Sequence, residues 1–229
     1  ATGSARIDDG RKFHAAGDLR GFRVSDLAAL RRLAAPPWDG VVSGPVTLDA
    51  AVKSGRLGDA ELAAALTVEP VVSSRPLSGI IHVSLSQRRG SIEFDESHLV
   101  AGSTRVGLRG ALQDRLRLDV MTRDLDDLLP LGAYLGGAFP REIPVTLRGG
   151  EARFNGDLTG GLDSPRVSGQ VSLTNVAYQG RLFDRAAAVV AASENGVTCE
   201  KLSIEQGAAS LRGRARASLD HWKLTGGSS

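Results

Sequence analysis

Between Arg115 and Val120 the chain alternates without interruption: Arg115, Arg117 and Asp119 are charged, while Leu116, Leu118 and Val120 are apolar. Successive side chains of an extended strand point to opposite faces, so a period of two describes a strand that is apolar on one face and solvated on the other. A helix would smear the same residues around its circumference. The pattern recurs at Val46, Leu48, Ala50 and Val52; at Leu62, Ala64, Leu66 and Val68; at Ile81, Val83 and Leu85; at Val145 and Leu147; at Val167, Val171 and Leu173; and on odd positions from Leu211 to Leu219. Turn-forming pairs separate these runs: Ser54-Gly55, Arg89-Gly90, Asn155-Gly156, Gln179-Gly180, Asn195-Gly196 and Gln206-Gly207. Strand, tight turn and strand is therefore the expected grammar, and the fold class is all-β, a repetitive antiparallel meander.

Two short leucine segments break the pattern. One opens at Ser25-Asp26 and carries Leu27, Leu30 and Leu33; the other opens at Asp124 and carries Leu125, Leu128 and Leu129. Each begins with a capping residue and runs into proline, Pro36-Pro37 or Pro130, which predicts short helices near 25–33 and 124–130. The two segments lie roughly a hundred residues apart, and so do the identical tetrapeptides Pro45-Val46-Thr47-Leu48 and Pro144-Val145-Thr146-Leu147. Two copies of one unit are expected, over residues 1–110 and 111–229.

One-sided strands must bury their apolar faces somewhere. A closed sandwich or barrel would do so within the sheet; an open, curved, taco-like sheet would leave a trough lined by Val, Leu, Ile and Ala. Aromatic residues make up only 4% of the chain, which favours the trough, because dry sandwich cores recruit more large rings to fill their volume. The positions expected to line such an apolar groove are Val46, Leu48, Ile81, Val83, Leu85, Leu116, Leu118, Val120, Val145, Leu147, Val171 and Leu173. At about 4.8 Å per strand, twelve to sixteen strands would give a trough on the order of 60 to 75 Å long.

Chemistry-bearing motifs are absent from the sequence. His14, His82, His98 and His221 are far apart and lack ligand spacing, and Cys199 is the single cysteine. Asp124, Asp126 and Asp127 stand where carboxylates favourably open a helix, so a metal reading is the weaker one. No Gly-x-Ser-x-Gly or Ser-x-x-Lys occurs, and Gly149-Gly150 and Gly160-Gly161 lack the Lys-Ser/Thr of a phosphate loop, so they read as turns. An enzyme, a cofactor and a metal are not expected. The formal charge is only +2, and the arginines are scattered among acidic residues without interleaved aromatics, so nucleic acid is not an expected partner either. No apolar run reaches the roughly 18 residues needed to span a bilayer, and the chain reads as an internal piece of a longer one.

One ordered phrase carries a family resemblance. The strand Leu116 to Val120 runs into Asp124-Leu125-Asp126-Asp127-Leu128-Leu129-Pro130-Leu131. Pro144-Val145-Thr146-Leu147 follows, then Asp157-Leu158 to Asp163-Ser164-Pro165, then Val167-Ser168-Gly169-Gln170-Val171-Ser172-Leu173-Thr174-Asn175-Val176. Taken together these resemble the repeated phrase of the AsmA-like and TamB family of Gram-negative envelope proteins. The resemblance implies a curved sheet with an apolar groove, and a periplasmic location with the parent chain anchored in the inner membrane. It further implies conduction of phospholipid between inner and outer membranes, or assistance to outer-membrane protein assembly. The partners it implies are phospholipid acyl chains, adjacent repeats of the parent chain and an outer-membrane barrel protein. The alternative from a different class is a structural module with a closed core that pairs edge strands with a client.

Overall fold

A computed structural model describes residues 2–8, 12–26, 36–53, 56–72, 75–130, 143–160, 164–220 and 223–224. The chain falls into two compact units, residues 1–101 with 107–116, and residues 102–106 with 117–229. In the first, β1 (Thr2–Asp8), β2 (Lys12–Arg23), β3 (Gly40–Lys53), β4 (Arg56–Pro70), β5 (Leu77–Ser86) and β6 (Ser91–Ala101) pair antiparallel in consecutive order. The division between the units falls within β7 (Thr104–Ala111) and β8 (Arg115–Thr122). In the second unit, β10 (Ala152–Thr159), β11 (Arg166–Tyr178), β12 (Arg181–Ser193), β13 (Gly196–Gln206), β14 (Ala209–Asp220) and β15 (Lys223–Leu224) follow the same rule, and β9 (Val145–Leu147) pairs with β11. The all-β, antiparallel class expected from alternation is what the chain adopts.

The expected helices fare differently. Residues 24–26 are helical, but most of the segment near 25–33 lies outside the described residues. The segment near 124–130 is not an α-helix at its start: Leu125–Leu128 is a single 3-10 turn, with Asp124 as its cap accepting from the Asp126 N–H. The reason lies in the proline. Leu129 donates to the Asp126 carbonyl across three residues, and Pro130 has no N–H with which to extend that carbonyl's bonding to an i→i−4 ladder.

The turn expected at Asn155-Gly156 is also corrected. Both residues lie inside β10, opposite Gln170 and Gly169. Gly156 and Gly169 face each other, and a Cβ on either would run into the Phe154 ring, at 2.5 and 2.9 Å. The glycines thus make room for an aromatic side chain to lie across the sheet, which restores the apolar surface that glycine lacks.

Left-handed residues accompany every register shift recorded in the pairing: Gly21 in β2, Asp59 in β4, Glu96 in β6 and Lys201 in β13. Each inserts an extra residue and reverses the parity of the alternation. In β6, Ile92 and Phe94 precede Glu96, whereas Leu99 and Ala101 follow it; in β13, Val197 and Cys199 precede Lys201, whereas Leu202 and Ile204 follow. Without the bulge the second pair of each strand would turn to the polar face.

Candidate functional site

Registered cross-strand rows define the faces of the first unit. Ala5, Ala15, Leu48, Leu62, Leu85 and Ile92 are successive partners across β1 to β6, and Gly3, Gly17, Val46, Ala64, Val83 and Phe94 form the next row on the same face. One residue along each strand, the row reads Arg6, His14, Asp49, Glu61, Ser86 and Ser91. Apolar and polar faces are therefore separated across six strands, and opposed side chains within each row are near enough to pack. The polar row has its own bonds: His14 Nδ1 lies 2.7 Å from Asp49 Oδ1.

The second unit repeats the arrangement with smaller side chains. Ala152, Leu173, Ala186, Ile204 and Leu211 form one apolar row across β10 to β14, and Leu158, Val167, Ala192, Val197 and Ala217 another. The alternate row is Asp157, Ser168, Ala191, Thr198 and Arg216. Val171 stands between Phe154 and Ala188 on the apolar face, while Val145 opposes Tyr178 and Leu147 opposes Val176, beyond the left-handed Asn175.

Burial distinguishes the expected groove residues. Val46, Leu48, Ile81, Val83, Leu118, Val120, Val145, Leu147, Val171 and Leu173 are half-buried, and Leu85 is 36% exposed. Leu116, at 4%, is core. A shallow depression of about 370 Å³ lies where Ala5, Ala15, Leu19, Val46 and Leu48 meet on the apolar face. The larger depression of the first unit, about 810 Å³, takes Thr47, Ala63, His82, Ser84, Glu93 and Asp95 into its lining, residues that alternation places on the polar side. Sequence reasoning missed the contributions of β1, β2, β6, β12 and β13 to the apolar rows. The bulges concealed those of β6 and β13, and β12 is apolar at both parities, with Ala187 and Ala191 on the side opposite Ala186 and Ala192.

Two of the aspartates considered as metal ligands, Asp124 and Asp127, are occupied by the backbone and by hydroxyls. Asp127 Oδ2 accepts from the Ser103 N–H at 2.7 Å, the Ser103 hydroxyl at 2.8 Å and the Thr104 hydroxyl at 3.2 Å. The Thr104 hydroxyl shares its one proton between that carboxylate and Thr122 Oγ1, 2.7 Å away, and Thr122, 1% exposed, donates to the Asp124 carbonyl at 2.7 Å. The carboxylate pins the turn after β6 to the 3-10 turn, which is structural work. Glu151 and Arg153 form a surface pair at 2.7 Å; the hydrogen bond from Arg153 holds the Glu151 carboxyl below its ordinary value.

Among the described residues no group of three or more His, Cys, Asp or Glu is placed to hold a metal ion. No helix among them is long and apolar enough to cross a membrane. No family model matches the chain, and no curated protein or solved structure matches it.

Proposed function

We propose that this chain is a non-catalytic section of a conduit that carries phospholipid acyl chains along an apolar β-groove, within a periplasmic bridge between inner and outer membranes. The observation that carries the reading is the pair of registered apolar rows that cross β1 to β6 with most of their side chains only half-buried. Half-burial means that neighbouring side chains of the same face shield one another, and among the described residues no second layer completes the cover. Each methylene withdrawn from water is worth about 0.8 kcal/mol, so a sixteen-carbon chain costs on the order of 12 kcal/mol to expose in an aqueous compartment. A continuous aliphatic surface removes most of that cost. Because bilayer and groove are comparably apolar, lipid would pass without being trapped.

The test is extraction of the purified protein with organic solvent and mass spectrometry of the extract, beside a soluble β-sandwich purified in parallel. Phospholipid at appreciable stoichiometry, lost in Leu48→Asp and Leu173→Asp, is the expected result. Folded protein free of lipid would sink the reading.

A second reading, an assembly module that pairs edge strands with a client or with adjacent repeats, is favoured by β14. This strand is exposed from Ala209 through Arg216, and among the described residues it is paired along most of its length on one side only. Unpaired strand backbone is a template for strand addition.

A further inference from the structure

We infer that the polar face of the second unit carries a binding site for a phosphate group, in a depression of about 530 Å³ at the ends of β10 to β14. The depression is lined by Arg166, at the start of β11, and Arg216, near the end of β14, with Ser168, Ser193, Asn195 and Thr198 between them. Thr198 and Arg216 are register partners, and Ser168 lies in the same cross-strand row. These side chains therefore project from one face by pairing; Ser193 ends β12, and Asn195 comes from the turn that joins β12 to β13.

Charge decides what such a place can hold. Among the described residues the two arginines are the only ionisable lining groups, and neither has an ion pair. Asp157, the partner of Ser168 across the β10–β11 ladder, has an interaction of its own. The larger depression of the first unit is the useful contrast: there Arg109 shares the lining with the carboxylates of Glu93 and Asp95, which supply negative charge beside it. Two guanidinium groups without an ion pair, flanking hydroxyls, offer forked donors to an anion, a combination that suits the several acceptor oxygens of a phosphate. Ser and Thr hydroxyls complete the hydrogen bonding without adding charge.

Phosphate can arrive as a free ion or as part of a lipid headgroup, and the site chemistry is common to both. The inference does not rest on the apolar face carrying acyl chains, since it concerns the opposite side of the sheet. The experiment is titration calorimetry of the full chain with inorganic phosphate, and separately with a short-chain phosphatidylglycerol kept below its micelle concentration. Binding should weaken about tenfold in the double variant Arg166→Gln/Arg216→Gln, stay unchanged in Arg181→Gln, and fall as salt is raised. Circular dichroism of each variant establishes that it is folded. If both ligands bind, the site takes phosphate from either source; if the phospholipid alone binds, it reads a headgroup; either result supports the site when the double variant loses it. Absence of binding by both ligands, or equal loss in Arg181→Gln and the double variant, would overturn it.

Discussion

The two units solve the same problem with different side chains. In the first, β3 and β5 alternate cleanly, so Val46 and Leu48 or Val83 and Leu85 stand on one face while Thr47, Asp49 and Ser84 stand on the other. In the second, β12 is built largely from alanine and valine at both parities, and only its pairing with β11 and β13 assigns Ala186 and Ala192 to the apolar rows. Strict alternation specifies register by itself, because a slip of one residue would expose every leucine; an alanine-rich strand pays little for the same slip and depends on its neighbours. The buried apolar residues reflect this, with Val42, Ala50, Val68, Ala101, Leu112 and Leu116 in the first unit and Ala152 and Val176 in the second.

The comparison is broken most forcefully at the core. Val68→Asp places an unpaired carboxylate at a side chain that is 2% exposed, and a loss of about 3 to 5 kcal/mol is expected in chemical denaturation. Ala192→Asp, on the half-buried face of β12, should cost less than half as much; equal losses would mean that both units depend on their apolar rows alike.

Glycine substitutions sharpen the contrast next. At Gly44 the backbone has φ +146, and a Cβ would stand 2.1 Å from the Ala65 carbonyl oxygen, so Gly44→Ala should lose roughly 2 to 4 kcal/mol. Gly58→Ala meets nothing within 4 Å and should be close to neutral. In the second unit, Gly156→Ala collides with the Ser168 carbonyl and with the Phe154 ring, so pairing it with Phe154→Ala should relieve only the ring's share.

A smaller effect is expected at the turn clamp. Asp127→Asn keeps the shape but weakens three hydrogen bonds to one oxygen, for a loss of about 1 to 2 kcal/mol. Local hydrogen exchange at Ser103 should rise more than exchange in β11, which makes no contact with the clamp's hydrogen bonds.

The smallest effect is the pH dependence of Glu151. Its carboxyl is held low by Arg153, so the pair's contribution is present above the ordinary carboxylate range and is lost as pH falls through the lowered value. Thermal midpoints of wild type and Glu151→Gln should differ slightly near neutral pH and converge in acid. The pair lies at the surface, where solvent screens it; a difference that widened in acid would contradict the assignment.

Much of the fold was legible because period-two patterning is a local signal. The strands through Leu48, Val83, Leu118 and Val171 could be read without any partner in view, since each polar residue between apolar ones votes for the same geometry. The failures share one cause. Asn155-Gly156 looks like a hairpin turn until Phe154 is seen across the glycine pair, and the parity changes at Glu96 and Lys201 look like the end of a strand until the opposite strand shows the register continuing. The 3-10 turn after Thr122 was foreshadowed by Asp124 and Pro130, but that Asp127 reaches back to Ser103 and Thr104 depends on a turn more than twenty residues earlier.

By itself, then, the sequence determined the all-β class, the wet and apolar faces of the alternating strands, and the recurrence of Pro45-Val46-Thr47-Leu48 at Pro144-Val145-Thr146-Leu147, because alternation and composition act on neighbouring residues. Only the tertiary structure decided which apolar positions stand in one row, which of them, like Leu116, are core, and that Arg166 and Arg216 line one depression, because register and bulges are settled between strands and not within them.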